Sequence, residues 1–205
     1  MAGPCASLKD SLGREPLEQG MGGKMQLWKT MSEKRSLLEI KMENNSVTCK
    51  PIGIIHSCHV KPENTPIQSV YAEGCAGQTE VFSQYEAGLS DLEGFSHIYL
   101  IYHFHKAGPV ELKVKPFLED IERGLFATRS PRRPNPLGLS VVKLIKREKN
   151  ILFLDGVDIL DGTPLLDIKP YTARFDRLET SRNGWQDALD EETVKQRARR
   201  GYTDK

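Results

Sequence analysis

Three arginines and three prolines crowd the stretch 129–140, RSPRRPNPLGLS. Pro131, Pro134 and Pro136 each fix their own φ and push the preceding residue toward extended backbone. Such a loop loses little conformational entropy when it closes on a ligand. Arg129, Arg132 and Arg133 supply forked N–H donors matched to carboxylate or phosphate. An acidic counterpart follows at 158–171, DILDGTPLLDIKPY. Asp158, Asp161 and Asp167 could bind ribose hydroxyls or an ammonium group, or serve as a base; a hairpin turn with exposed carboxylates would read the same way. His103 and His105 alternate with Phe104, which places both imidazoles on one strand face as hydrogen-bonding or packing groups. The run His56, Cys58, His59 matches no standard zinc spacing. Strand alternation would send Cys58 and His59 to opposite faces, so no metal site is expected. The sequence carries no Ser-His-Asp ordering, HExxH, Walker loop or GxGxxG after a strand. Hydrolase, NTPase and Rossmann readings therefore lack support.

Those residues need elements to hold them. Residues 51–56 (PIGIIH) read as a short apolar strand, and 62–68 as a proline-broken polar loop. A second strand is expected at 81–85, then a turn or short helical piece at 90–94. Residues 95–105 (FSHIYLIYHFH) give the strongest strand signal, β-branched and aromatic throughout. Strands at 139–145 and 151–157, joined by a charged turn, predict a hairpin. A last strand is expected at 168–175, started late because Pro170 breaks its ladder. The connections are mostly too short for crossover helices. The expected fold is mainly β, a small antiparallel barrel with a few short helices and a C-terminal helix. That helix is read from Trp185, Ala188, Leu189, Val194 and Ala198, with Glu191 and Lys195 as an i,i+4 pair, and a basic tail follows.

Composition sets the outer bounds. The chain has 205 residues, 28% of them charged, yet a net charge of only +1. No global basic field recruits nucleic acid, so any such contact must use local patches. No run of about 18 apolar residues suggests a membrane span, and the N-terminus has no apolar signal core. Cys5, Cys49, Cys58 and Cys75 form no CxxC pair and read as thiols in a reducing, cytoplasmic setting. Three regions are expected. Residues 1–46 are an extension, with a polar Gly- and Pro-rich start and a short helix over 28–42; 47–180 form the barrel; 181–205 form the helix and tail.

The motifs FSHIYLIYHFH, FATRSPRRPNPLGLS and DILDGTPLLDIKPY, in this order, closely resemble the TrmO (TsaA-like) family over about residues 51–175. The resemblance implies a β-barrel tRNA methyltransferase that uses S-adenosyl-L-methionine and works as a homodimer, with no role for DNA or membrane. The implied reaction is methylation of N6 of N6-threonylcarbamoyladenosine beside the anticodon. Cofactor contacts carried over by position fall on Pro66, Ile67 (where the family has arginine), Gln68, Phe104, His105, Arg129, Leu139, Asp158, Ile159, Leu160 and Asp161. Asp161, Tyr171 and His105 are candidate bases for the N6 proton. Arg132, Arg133, Lys169 and the basic residues 197–200 would meet tRNA phosphates. Two alternatives stay open: the same cofactor used on another substrate, and a module that binds the cofactor without transferring methyl.

Overall fold

Alternation along the strongest strand signal predicts which side chains face inward, and the computed structural model, which describes residues 47–198, has them there. In β3 (His97–His103) the inward positions Ile98, Leu100 and Tyr102 are buried while their neighbours are partly exposed. β6 (Leu137–Glu148) repeats the pattern with Gly138, Ser140, Val142 and Leu144. The other barrel strands are β1 (Gly53–Ser57), β2 (Gly77–Val81), β7 (Ile151–Asp155) and β8 (Thr163–Pro170). They close in the order β1-β2-β7-β6-β3-β8, every neighbouring pair antiparallel. Closure removes the sheet edges that would otherwise expose unpaired backbone groups. A separate two-stranded ribbon, β4 (Lys113–Val114) with β5 (Arg123–Gly124), lies in the β3–β6 connection.

The barrel is filled by Ile55, Val81, Ile98, Leu100, Val142, Leu152, Leu154, Val157, Ile159 and Leu165. Each fully buried aliphatic side chain contributes about 1.5–3 kcal/mol relative to exposure. β6 and β7 form the expected hairpin, but its loop is only Lys149 and Asn150, because Glu148 pairs with Ile151. Lys149 takes a left-handed φ of 55° to make that turn.

Three expectations are corrected. The second strand runs over Gly77–Val81, and Ser83–Leu89 is a 3-10 helix. GQTEV pairs with both β1 and β7, and Gly77 is required there: a Cβ would lie 2.7 Å from the His56 carbonyl oxygen. The last strand starts at Thr163 and ends at Pro170, so both its prolines fall near strand ends, where a missing N–H is tolerated. The terminal helix is split. Trp185 and Ala188 lie in the 3-10 turn Gly184–Ala188, and only Glu191–Ala198 is α-helical. Its Glu191–Lys195 pair is present at 3.9 Å. The 1–46 extension, with the helix expected over 28–42, and the tail beyond Ala198 lie outside the described residues. No described helix is long and apolar enough to cross a membrane.

Candidate functional site

The antiparallel order sends the C-terminal ends of β1, β3 and β7 and the N-terminal ends of β2, β6 and β8 to one rim. Every residue carried over as a cofactor contact lies on that rim or in a loop leaving it. The loop after β1 carries Pro66, which is buried, and Ile67, whose N–H is donated to the Ala198 carbonyl at 3.1 Å. Gln68 follows, and its Oε1 accepts a hydrogen bond from the Arg129 guanidinium, a contact between residues 61 positions apart. Arg129 thus reaches across the rim from the proline-rich loop.

Beneath this pair sits a buried polar cluster. Asp158, on the segment leaving β7, is only 9% exposed. Burial pushes its carboxyl up to about 6, partly offset by hydrogen bonds from the Ser140 hydroxyl, its own N–H and Ser69, and by the charge of Arg129. Its Oδ1 nevertheless has no hydrogen-bond partner, an expensive state for a buried carboxylate oxygen. Ser140 also meets the Tyr102 hydroxyl at 3.1 Å. Burial holds that phenol well above its usual range. Gly138 makes room for the ring: a Cβ there would fall 2.1 Å from Tyr102 Cε2. Phe104 packs edge-on against Tyr102, with centroids 5.2 Å apart.

His105 closes the rim on the β8 side. The Thr163 hydroxyl donates to the Leu160 carbonyl at 2.6 Å, so at 3.3 Å it accepts from His105 Nδ1–H. That tautomer leaves a lone pair on Nε2. Burial, then Lys106 and His103, lowers the His105 pKa and keeps the ring neutral at pH 7. Asp161 has a different occupation. Its Oδ1 accepts the Ser57 N–H at 3.1 Å and lies 3.5 Å from His56 Nδ1, and its own N–H goes to the His59 carbonyl at 2.8 Å. It ties the 158–162 turn to the end of β1. Ile159 is buried in the core and Leu160 half-buried. Leu139 points outward, 56% exposed, next to inward-facing Ser140.

The structure does not gather all the candidates. Tyr171 lies at the opposite end of β3 from His105, with its N–H on the His97 carbonyl and its ring 5.7 Å from that of Tyr99. Lys169 pairs with Tyr99 in the ladder, at that same far end, and its ammonium sits 2.8 Å from Asp167. In the proline-rich loop Arg132 is paired with Glu111. Arg133 turns back onto the Thr128 carbonyl at 2.9 Å and over the Phe126 ring at 5.5 Å. Cys58 and His59 do not point apart as alternation suggested. β1 ends at Ser57, so the strand rule no longer applies, and Cys58 Sγ is 3.8 Å from His59 Nδ1. Sequence reasoning passed over Ser140, Tyr102, Ser69 and Thr163 as site residues. The available signal was a hydroxyl at an inward-facing position of an apolar strand, as at Ser140 between Gly138 and Val142.

Sequence comparison is consistent with this geometry. The profile described as the tRNA-methyltransferase O N-terminal domain matches residues 54–177. A Pyrococcus abyssi protein named probable S-adenosyl-L-methionine-binding protein is 54% identical over 136 residues, 66% of this chain and 74% of that protein. A human tRNA (adenine(37)-N6)-methyltransferase is 39% identical over 142 residues, 66% of this chain but only 32% of the human protein. The crystal structure of TrmO from Pseudomonas aeruginosa superposes with a TM-score of 0.58 at 37% identity, covering 68% of this chain and 62% of that one. The chain thus spans about a third of the human relative.

Proposed function

The chain belongs to the family of the tRNA-methyltransferase O N-terminal domain, and from that premise we propose that it is an S-adenosyl-L-methionine-dependent tRNA methyltransferase. Its substrate is N6 of N6-threonylcarbamoyladenosine beside the anticodon. The observation that carries the reading is the rim itself. A buried carboxylate with an orphaned oxygen (Asp158) lies in the field of Arg129, which bridges to Gln68, on the rim that also carries the half-buried Phe104 and Leu160.

The residues present fit the cofactor. The orphaned Asp158 oxygen suits an ammonium or a hydroxyl, Arg129 suits a carboxylate, and Phe104 and Leu160 suit a purine or thioether surface. When bound, the cofactor supplies a methyl group already activated on a sulfonium sulfur. The protein's work is then orientation and proton removal. The threonylcarbamoyl group acidifies the N6–H, so a modest acceptor suffices. His105 is the acceptor we assign. It is neutral, held by Thr163 through Nδ1, and its Nε2 lone pair is available. Asp161 serves instead by fixing the turn, since its carboxylate is engaged by the Ser57 N–H. Arg132, Arg133 and Lys169 contact phosphates of tRNA; Arg132 exchanges Glu111 for a phosphate on binding. The working unit in this reading is a homodimer.

The test is transfer of labelled methyl to two tRNAs that differ only in the threonylcarbamoyl group. The modified tRNA should react and the unmodified transcript should not. Equal reaction would refute the substrate. Cofactor binding with no transfer to either would favour a binding module, the description carried by the archaeal relative's name.

A further inference from the structure

Cys58, His59 and Cys75 lie outside the machinery just described, on the two segments that bracket the cofactor loop. One ligand atom from each, Sγ, a ring nitrogen and Sγ, all fall within 4.8 Å of one another. Cys58 Sγ is 3.8 Å from His59 Nδ1. The edges expected for three ligands around a tetrahedral zinc ion are of this size. With Zn–S of about 2.3 Å and Zn–N of about 2.0–2.1 Å, S···S comes to about 3.8 Å and S···N to about 3.6 Å.

The histidine is set up for ligation by its surroundings. His59 is 2% exposed, and its Nε2 meets the Val157 carbonyl at 2.8 Å. A carbonyl oxygen only accepts, so Nε2 carries the proton and Nδ1 is the nitrogen suited to ligation; Cys58 Sγ flanks the ring, 3.8 Å from Nδ1 and 3.9 Å from Nε2. An imidazole donating its other N–H to a backbone carbonyl is the usual support of a metal-bound histidine. The thiols differ. Cys58 is exposed and Cys75 partly buried, and neither is in a disulfide.

We propose that Cys58, His59 and Cys75 form a three-ligand site for a thiophilic divalent ion of the zinc class, with solvent or an outside ligand completing the tetrahedron. On binding, each thiol gives up its proton to solvent as its sulfur–metal bond forms, with no change of oxidation state. The ion staples the end of β1 to the segment before β2. The intervening loop carries Pro66, Ile67, Gln68 and Ser69, and the Cys75 carbonyl already accepts the Val157 N–H at 3.1 Å, next to Asp158. The role is therefore to fix the cofactor loop, and the ion stands apart from the reacting atoms.

The test uses the full chain, reduced, stripped with chelator and then titrated with zinc or cobalt alone. Native mass spectrometry should show one bound zinc with loss of two protons. Cobalt should give thiolate charge-transfer absorption and the intense visible bands of a tetrahedral site. Cys58→Ser and Cys75→Ser should each weaken zinc binding at least tenfold, while a Cys5→Ser/Cys49→Ser double variant should keep it. Zinc should also protect Cys58 and Cys75 from alkylation in the wild-type chain, a reading that needs no variant to fold. No ion bound by wild type, binding undiminished in both single variants, or a Cys58–Cys75 disulfide that persists in the presence of zinc would each overturn the proposal.

Discussion

Replacing Asp158 by asparagine should make this protein more stable and a poorer binder. Burial raises the Asp158 carboxyl from its usual value near 3.8 to about 6. Because the folded value exceeds the unfolded one, the group's contribution to stability is fully present below pH 4. It is lost as pH rises through 6, where the folded protein must carry a buried charge. At about 1.4 kcal/mol per pH unit, the burden at pH 8 is about 3 kcal/mol. Asp158→Asn keeps the shape, removes the charge and retains an oxygen to accept from Ser140. The variant should therefore gain about 1–3 kcal/mol at pH 8, seen as a Tm roughly 3–10 °C higher. The gain should vanish at pH 4, where both side chains are neutral. Thermal unfolding at the two pH values, with chelator present so that no ion near Cys75 contributes, measures this directly. Calorimetry on the same samples should show S-adenosyl-L-methionine bound about 10- to 100-fold more weakly, because a charge-assisted contact worth roughly 1–3 kcal/mol is lost. A gain that persists at pH 4 would show that charge burial is not its cause. Unchanged affinity would refute Asp158 as a cofactor ligand.

Arg129→Ala should weaken S-adenosyl-L-methionine by roughly 1–3 kcal/mol in calorimetry while moving the thermal transition little, since Arg129 is exposed and its guanidinium bridges to Gln68 on the rim. His105→Gln should lower kcat with little change in KM for modified tRNA, and should flatten the acidic limb of the pH–rate profile; an unchanged profile would remove His105 as the proton acceptor. Gly138→Ala should destabilise by roughly 1–3 kcal/mol in urea unfolding, because its Cβ would meet the Tyr102 ring at 2.1 Å. Tyr102→Leu in the same chain should recover most of that loss.

What the sequence discloses about this molecule follows from which physical signals are local. β3 is legible because Ile98, Leu100 and Tyr102 alternate with less buried neighbours and the run is β-branched and aromatic. β2 is not, because GQTEV begins with a glycine and turns Thr79 inward, a choice made by its two partner strands and not by propensity. Arg129 and Asp158 stand out by type in motifs that are long and specific, but their meeting with Gln68 and Ser140 depends on barrel closure. Tyr171 looks close to Asp161 when the residues are counted along the chain. Between them β8 runs the height of the barrel, about 25 Å for a strand of that length, and delivers Tyr171 to the other end. Alternation misplaced His59 relative to Cys58 for a related reason: it presumes a continuing strand, and β1 ends at Ser57, before either residue.

The hydrogen bond from the Ile67 N–H to the Ala198 carbonyl joins two backbones. No side chain takes part, so the fastening tolerates drift at either position. It also ties two stretches of chain that are remote in sequence but share one mechanical fate. A spectroscopic reporter on the exposed face of the terminal helix, at Gln196 for instance, would feel the cofactor loop tighten or slacken through that peptide-to-peptide link. The helix Glu191–Ala198 is thereby a natural handle for watching ligand exchange in real time without touching a residue of the rim.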